Sequence, residues 1–358
     1  MNFNNLTKYS FLVIFLILAS CSGNTTQEKP INIILMIGDG MGTSHIYAGM
    51  MANGGHLNLE KCEYVGFQKT YSANSDITDS GASATALASG IKTLNGAIGV
   101  DPNGVPVITI LELAEENGLS TGLLATSTIT HATPAAFAAH NPDRGEYEEI
   151  ALDISQSNVD LIIGGGRYHF SRREDGQNLL EKMTEQGYFI ADELDDVPGS
   201  HSGPVAVFSD SLAMPSINSG RGDLLVRSTE FAVNRLSNNL EGFFLMVEGS
   251  QIDWEAHGHR TQGVVAEMLD FDEAVGKALD FAEKDGNTLV VVTADHETGG
   301  FNVLEGGPKN PEIEGAFTTD GHTGVMVPVF AYGPGSEEFA GIYENTMIFE
   351  KMKNLLDF

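Results

Sequence analysis

The chain has 358 residues, of which 42% are hydrophobic and 19% are charged, a composition typical of a globular protein and not of a disordered or fibrous one. Lysine and arginine number 19 against 49 aspartate and glutamate residues, giving a formal net charge of −30. This balance excludes a nucleic acid as partner, because binding a phosphate backbone requires clustered cations. Most of the acidic side chains are expected to form a solvated surface.

The first thirty residues have the pattern of an export signal followed by a tether. Residues 1–20 carry one charge, Lys8, and an apolar run that is too short to span a membrane as a helix. The Leu-Ala-Ser-Cys sequence at 18–21 resembles a bacterial lipobox, so we predict a lipoprotein signal peptide over 1–20 and a lipid on Cys21. Residues 21–30 are predicted to be a polar tether. The protein is therefore expected to be exported and lipid-anchored, on the periplasmic side of a bacterial envelope or at the cell surface.

Apolar runs alternate with amphipathic segments along the rest of the chain. The runs predicted to be strands are 31–37, 119–126, 159–163, 205–209, 243–247, 288–293 and 327–332. The amphipathic segments predicted to be helices include 107–117, 224–236 and 264–284. Continuous apolar strands separated by helices predict a mostly parallel central sheet with helices on both faces, a three-layer α/β fold. We expect residues 31–358 to form this single domain.

Polar motifs follow the predicted strands at their carboxyl ends, where sheets of this kind bind ligands. Asp39 follows the first strand, and a carboxylate there suits a hard cation. The glycines around it are spaced G-x-G-x-G, which differs from the dinucleotide fingerprint. Ser80 follows Asp79 at the predicted start of a helix of small residues, where free N–H groups and the helix dipole favour a phosphoryl group. Taken alone, such an Asp-Ser pair is more typical of a helix cap.

Further along the chain, polar motifs at three strand ends or starts supply candidate metal ligands. These are Glu248, Asp253, His257, Asp295, His296 and His322. Asp253 and His257 are four residues apart and therefore share one face of a helix. A mixed set of histidine and aspartate suits zinc at sites that keep one position open. Because Ser80 has no recognisable histidine base, metal coordination is the alternative way to activate its hydroxyl. The histidines without such support are His45, His56, His140, His169, His201 and His259.

A hydroxyl and an imidazole follow the predicted strand 119–126, in Thr133 and His131. Arg144 comes shortly after them on a predicted loop. A loop arginine is solvated by default, but its planar fork matches two oxygens of a phosphate. Because the acidic surface repels an anionic substrate, such a site needs local positive charge from metals and arginine.

Together these residues resemble the alkaline phosphatase family, in order from Asp39 to His322. The most specific match is Thr-Asp-Ser-Gly-Ala-Ser-Ala-Thr at 78–85, followed by the spacing of the three acidic and histidine ligands at 248–257. The resemblance implies an alkaline phosphatase-like fold and hydrolysis of small phosphomonoesters with release of inorganic phosphate. It also implies a covalent phosphoserine at Ser80.

The resemblance further implies two zinc ions and one magnesium ion. The ligands implied for the first zinc are Asp253, His257 and His322. Those implied for the second zinc are Asp39, Asp295, His296 and Ser80. Those implied for magnesium are Asp39, Thr133 and Glu248. The implied role of Arg144 is to bind two phosphate oxygens.

Two residues depart from the best-known bacterial member of the family. His131 and Trp254 stand where that enzyme has an aspartate and a lysine. We predict that they lie, with Asp79, behind the metal ligands without binding the metal directly. A reduced form of the family's crown insertion is expected around 297–321, only 25 residues. Because that element supports the family's usual dimer, a homodimer stays open.

Two other functions also stay open. A phosphodiesterase of the same superfamily would share the fold and most of the metal ligands, although Arg144 and the third metal set favour monoesters. A catalytically silent lipoprotein would bind phosphate or metal without turnover. Sulfatases are excluded because the C/S-x-P-x-R motif is missing. The Arg-Gly-Asp triplet at 221–223 is interpreted as a chance occurrence of an adhesion sequence.

Overall fold

The computed structural model describes residues 30–358. The predicted signal peptide, Cys21 and nearly all of the tether lie outside these residues. The strands of the described part, β1 to β14, are Asn32–Gly38, Tyr64–Lys69, Ser120–Thr128, Leu161–Gly165, Phe189–Ala191, Val205–Asp210, Phe243–Gly249, Thr288–Thr293, Glu297–Thr298, Asn302–Gly307, Asn310–Ala316, His322–Thr323, Val327–Tyr332 and Gly341–Glu344. Its α-helices, α1 to α11, are Thr43–Ala52, Ser80–Ser89, Ile110–Glu116, Ala132–Ala135, Tyr147–Gln156, Arg167–Ser171, Leu179–Glu185, Leu224–Leu236, Gln251–His257, Thr261–Asp285 and Thr346–Leu355.

Ten strands form one sheet in the order β14-β2-β13-β8-β1-β7-β3-β4-β6-β5. Each neighbouring pair is parallel except the two that β13 makes, with β2 and β8. Nine strands therefore run in one direction. At the centre, β1 lies between β7 and β8, with Ile33 opposite Phe244 on one side and Leu289 on the other. The predicted, mostly parallel sheet is confirmed.

Helices cover both faces of this sheet. Successive residues of a strand point to opposite faces, so Ile33 and Leu35 pack in one core with α2, α3, α5, α7 and α11. Ile34 and Met36 pack in the other core with α1, α8, α9 and α10. This burial on two sides explains why the strand sequences are continuously apolar. The three-layer fold class is confirmed.

Local sequence sets the ends of several helices. The Thr109 side chain accepts from the Glu112 N–H at 3.1 Å, and the Glu112 carboxylate accepts from the Thr109 N–H at 2.8 Å, which forms a capping box before α3. Gly286 ends α10 with a φ of 77°, a left-handed conformation that glycine adopts at little cost. Within residues 30–358, none of the helices combines the length and apolar character needed to cross a membrane.

The seven predicted strands correspond to β1, β3, β4, β6, β7, β8 and β13, and the three predicted helices to α3, α8 and α10. A further strand of the sheet, β14, follows 327–332 and was not predicted. β13 is antiparallel to its neighbours, so its start lies at the edge where the other strands end. His322, just before β13, therefore reaches the same edge as residues that follow parallel strands.

The segment 297–321, where a reduced crown insertion is predicted, contains β9, β10 and β11 and ends just before β12. β10 and β11 form an antiparallel hairpin, and β9 pairs with β12 through Thr298 opposite His322. The Glu297 carboxylate is buried and accepts from the backbone N–H groups of Gly300 and Phe301 at 3.2 and 2.9 Å. These bonds hold the base of the hairpin beside the sheet edge.

Candidate active site

The carboxyl ends of β1, β7 and β8 bring three acidic side chains together. Asp39, Glu248 and Asp295 are all completely buried. The Asp39 N–H donates to the Gly249 carbonyl at 3.2 Å, and the Gly40 N–H donates to Asp295 Oδ1 at 3.1 Å. The sheet therefore fixes the spacing of these carboxylates through the backbone.

Three clusters of side chains have ligand atoms within 4.8 Å of one another. The first cluster consists of Asp253, His257 and His322. The second cluster consists of Asp39, Asp295 and His296. The third cluster consists of Asp39, His131 and Glu248. The structure thus brings together the residues of the three implied metal sites, and it adds His131 to the third. Thr133 in α4 is completely buried, and its hydroxyl has no hydrogen-bond partner in the part of the chain that the structure describes.

Two histidines of the first cluster each present Nε2 to the cluster. His257 Nδ1 lies 2.5 Å from the Asp320 carbonyl oxygen, and His322 Nδ1 lies 2.9 Å from the Thr78 carbonyl oxygen. A carbonyl can only accept, so both Nδ1 atoms carry a hydrogen, and in the neutral form that binds a metal both Nε2 atoms have a lone pair. These Nε2 atoms are 3.2 Å apart. Two lone pairs so close repel each other unless a cation or a proton lies between them, which fits a metal site.

The buried carboxylates have too little positive charge around them. Burial raises the pKa of Glu248 to about 7 and that of Asp295 to about 6. Burial and the neighbouring carboxylates raise the pKa of Asp39 well above its ordinary value. Burial acts in the same sense on Asp253, but the neighbouring histidines and hydrogen bonds outweigh it and lower the pKa of Asp253. Without a metal, the hydrogen bond with Asp253 raises the pKa of His257 to about 9, so a proton then occupies His257 Nε2, 3.3 Å from Asp253 Oδ1.

Several of these carboxylate oxygens have no hydrogen-bond partner among residues 30–358. They are both oxygens of Asp39, Oε1 of Glu248 and Oδ2 of Asp295. A buried, unpaired charged oxygen costs free energy unless a cation binds it. Clustered oxygens and imidazole nitrogens with free lone pairs are the ligands that zinc and magnesium take in proteins. The residues present therefore fit divalent metals.

Ser80 is the first residue of α2, a helix in which each residue is buried. Asp79 caps the helix, because its Oδ1 accepts from the N–H of the third helical residue at 3.0 Å. The cap expected from the sequence is therefore present, and it also fixes the nucleophile candidate. Ser80 Oγ lies 3.3 Å from His296 Nε2, at the second cluster.

Arg144 connects the helix cap to the third cluster. Its Nη1 donates to Asp79 Oδ2 at 3.0 Å, and its Nη2 lies 3.3 Å from His131 Nε2. Because arginine can only donate, His131 Nε2 accepts and Nδ1 carries the hydrogen. Burial and the charge of Arg144 lower the pKa of His131 to about 3, so the ring is neutral. The Trp254 ring contacts His131 edge-on, with 5.7 Å between centroids.

Some residues that hold the ligands in place carry no recognisable signal in the sequence. His259 was left without a role, but its ring stacks on Phe317 at 4.9 Å and its Nε2 lies 3.0 Å from the Thr319 carbonyl oxygen and 3.1 Å from Asp320 Oδ1. It therefore fixes the loop that leads to His322. The order of residues along the chain gives no signal for this contact, because His259 and Thr319 are 60 positions apart.

Two serines hold Glu248 in the third cluster. Ser250 Oγ donates to Glu248 Oε2 at 2.5 Å, and Ser127 Oγ donates to the same oxygen at 3.2 Å. The Ser250 N–H also donates to Thr126 Oγ1 at 2.9 Å, which links the ends of β3 and β7. The available signal in the sequence was the presence of small hydroxyl residues at the ends of two neighbouring strands, β3 and β7. Oε2 of Glu248 thus accepts hydrogen bonds from two hydroxyls, and Oε1 is available to bind a cation.

Comparison with known proteins agrees with this arrangement. A family model described as alkaline phosphatase matches residues 30–315 and 308–358. Alkaline phosphatase 4 of Bacillus subtilis (strain 168) is 37% identical, over 88% of this chain and 86% of the relative. The solved alkaline phosphatase of the Antarctic bacterium TAB5 is 41% identical with a TM-score of 0.88, over 93% of this chain and 99% of that chain. A His-to-Asp variant of the TAB5 enzyme was solved with magnesium bound in its M3 site. The chain therefore belongs to the alkaline phosphatase family, whose phosphatase activity it shares.

Proposed function

We propose that the chain hydrolyses phosphomonoesters through a covalent phosphoserine at Ser80, with two zinc ions and one magnesium ion bound in the three clusters. The position of the Ser80 hydroxyl carries this proposal. It lies 3.3 Å from His296 Nε2, which itself lies 3.5 Å from Asp39 Oδ1 and 3.1 Å from Asp295 Oδ2. A cation held by these three acceptors would therefore contact the serine oxygen.

The proposed metal ligands follow the three clusters. Zinc in the first cluster would be held by Asp253, His257 and His322. Zinc in the second cluster would be held by Asp39, Asp295, His296 and Ser80. Magnesium in the third cluster would be held by Asp39, Thr133 and Glu248. His131 stays outside this set because its free lone pair already accepts from Arg144. The magnesium in the M3 site of the TAB5 variant supports the choice of metal for the third cluster.

The side chains of this chain would perform two displacements at phosphorus. When bound, the zinc ions would lower the pKa of the Ser80 hydroxyl and neutralise charge on the phosphoryl oxygens. Ser80 Oγ forms a bond to phosphorus as the ester oxygen–phosphorus bond breaks, and the leaving oxygen takes up a proton to become the alcohol. Water then attacks the same phosphorus, the bond to Ser80 breaks, and the serine oxygen regains a proton as inorganic phosphate leaves.

Arg144 would select monoesters and stabilise both displacements. Its guanidinium can donate to two non-bridging oxygens of a phosphoryl group. A phosphomonoester offers three such oxygens and a diester offers two, so the monoester fits the metals and the arginine together. Asp79 holds the guanidinium at 3.0 Å, which reduces the freedom lost when substrate binds. The same comparison with known proteins gives no support to the phosphodiesterase alternative.

Export and anchoring remain proposals that rest on the sequence. Cys21 would carry the lipid and hold the enzyme on the periplasmic side of a bacterial envelope or at the cell surface, with 21–30 as the tether. A homodimer is left open. Incorporation of a labelled fatty acid into the full chain, and its loss in Cys21→Ser, would test the anchor.

The Ser80→Ala variant tests the proposed function. Its turnover of p-nitrophenyl phosphate should fall by about three orders of magnitude or more, since removing the nucleophile removes the covalent route. Zinc content and phosphate affinity should remain. Ser89→Ala in the same helix is the matched control, because Ser89 is buried but its hydroxyl donates to the Thr85 carbonyl. Turnover by Ser80→Ala at the wild-type rate would contradict the proposal.

A further inference from the structure

Thr298 lies between the first and second clusters, although it belongs to neither. It is the second residue of β9, and its side chain is completely buried. Its Oγ1 donates to Asp253 Oδ1 of the first cluster. The same oxygen lies 3.2 Å from His296 Nδ1 of the second cluster. One hydroxyl therefore contacts a candidate ligand from each of two metal sites.

Counting hydrogens fixes the direction of both contacts. A threonine hydroxyl has one hydrogen to donate and lone pairs with which to accept. The Asp253 carboxylate can only accept, so the hydroxyl hydrogen points to Oδ1. The contact with His296 is then satisfied only if the histidine donates from Nδ1–H to the threonine oxygen. The hydrogen of His296 is therefore on Nδ1, and the lone pair of Nε2 faces the Ser80 hydroxyl.

This arrangement differs from that of the other two histidine ligands. His257 and His322 donate from Nδ1 to backbone carbonyls, which accept regardless of any side chain. The acceptor for His296 is a side chain, and that side chain is itself oriented by Asp253. A change at Asp253 can therefore reach His296 through a single oxygen atom.

The backbone holds Thr298 independently of its hydroxyl. Its N–H donates to the Gly40 carbonyl at 3.2 Å, and the residue pairs with His322 across β9 and β12. Gly40 has a φ of +71°, and a Cβ at that position would lie 2.7 Å from Thr298 Oγ1. The glycine thus leaves room for the hydroxyl. Removing the hydroxyl alone should leave the local backbone in place.

We infer that Thr298 is a positioning residue that couples the two proposed zinc sites by fixing the tautomer of His296 and the orientation of Asp253. The inference rests on the proposed metal-dependent function. Groups that orient metal ligands from behind typically change metal affinity or activity by about 10- to 100-fold when they are removed. Because Thr298 serves both clusters, its loss should weaken zinc binding at both.

Zinc affinity in the full chain gives the test, measured by competition with a chromophoric chelator. Thr298→Val keeps the shape of the side chain and removes the hydroxyl, whereas Thr298→Ser keeps the hydroxyl. Thr298→Ala provides a second variant without it. Thr229→Val is the matched control, because Thr229 is equally buried but its hydroxyl donates to the Leu225 carbonyl of α8 at 2.9 Å.

We expect Thr298→Val and Thr298→Ala to bind both zinc equivalents about 10- to 100-fold more weakly than the wild type. Thr298→Ser should restore most of the affinity, and Thr229→Val should not change it. If both variants without the hydroxyl bound zinc as tightly as the wild type, the inference about Thr298 would be overturned and the proposed function would not. An equal loss in Thr298→Ser would also overturn the inference, since packing and not the hydroxyl would then be responsible. A wild-type chain without zinc affinity would overturn the proposed function as well.

Discussion

Two regions of the molecule bury carboxylates, and they differ in where the counter-charge comes from. Near the start of α10, the Arg221 side chain is 1% exposed and pairs with Glu267 and Asp270, the latter at 2.8 Å. At the carboxyl edge of the sheet, Asp39 and its neighbours are buried as deeply, but several of their oxygens have no hydrogen-bond partner within residues 30–358. In the first region a guanidinium of the chain pairs with both carboxylates, whereas in the second several carboxylate oxygens have no side-chain donor among the residues described.

This difference separates a structural ion cluster from a metal site. Burying a charge is costly unless it is paired. Glu267 also accepts from the Ile217 N–H at 2.8 Å, so the Arg221 cluster ties a loop to α10 and has little capacity for another ligand. The unpaired oxygens of the sheet edge require a cation from solution. Burial of Arg221 also argues against the adhesion interpretation of the triplet at 221–223, because its guanidinium is inaccessible.

Removing the metals should change the free energy of unfolding more than either arginine substitution described below. In the metal-free protein, burial raises the pKa of Glu248 to about 7 and of Asp295 to about 6, against about 4 in an unfolded chain. A carboxyl with a raised folded pKa binds more protons when folded. The free energy of unfolding should therefore fall as pH rises from about 4 to about 7, by up to about 1.4 kcal/mol per pH unit for each group.

Denaturant unfolding at pH 5 and pH 8, with and without chelator, measures this dependence. The protein loaded with zinc and magnesium should not show the loss at pH 8, because the bound cations favour the ionised carboxylates. If the chelated protein were as stable at pH 8 as at pH 5, the sheet edge would have another source of positive charge, and the contrast between the two regions would fail.

Arg221→Met tests the region whose counter-charge comes from the chain. It leaves Glu267 and Asp270 buried without their cation, which should cost about 3–5 kcal/mol at neutral pH. Arg227→Met is the matched control, because Arg227 pairs with Asp195 at the surface and should change stability by no more than about 1 kcal/mol. Denaturant unfolding gives both values.

The folded Arg221→Met variant should still bind zinc and turn over substrate like the wild type. A loss of zinc affinity in that variant, under conditions where it is folded, would show that the two regions are not independent. Its stability deficit should also shrink at acidic pH as Asp270 becomes protonated, because burial already raises the pKa of this carboxyl to about 6.

Arg144→Ala should have the smallest effect on stability and a selective effect on activity. Losing charge-assisted bonds to a phosphoryl group should lower kcat/KM for p-nitrophenyl phosphate by about 10- to 100-fold, at about 1.5–3 kcal/mol for such a bond. Hydrolysis of bis(p-nitrophenyl) phosphate should fall less. Arg167→Ala, which removes a guanidinium paired with Asp192, serves as control. Equal losses on the two substrates would count against the role of Arg144.

The fold was predictable from the sequence where strands are buried on both faces. The central strands are buried on both faces, so their sequences are continuously apolar and identify them directly. β2 was missed because Tyr64 and Val65 are exposed and a glycine interrupts the run. β10 and β11 were missed for the same reason, since most of their residues are exposed or half-buried. A strand that is not buried on both faces carries a weaker signal in its sequence.

The ligand candidates were also predictable, because they directly follow or precede strands and occur in specific local motifs. The residues that orient them were not. Thr298 contacts Asp253 across 45 positions and His259 contacts Thr319 across 60, so no local pattern records either contact. Arg144 was predicted to donate hydrogen bonds to phosphate oxygens. Its hydrogen bond to Asp79 was not predictable, because it joins a loop to the start of a helix that is distant in sequence.

The metal content of the purified full chain tests the central claim most directly. Zinc and magnesium per chain would be measured together with p-nitrophenyl phosphate turnover, before chelation, after chelation and after metals are returned. We expect two zinc ions and one magnesium ion per chain. Turnover should be lost when they are removed and should recover when they are returned. Full turnover by a chain that contains no metal would contradict the claim.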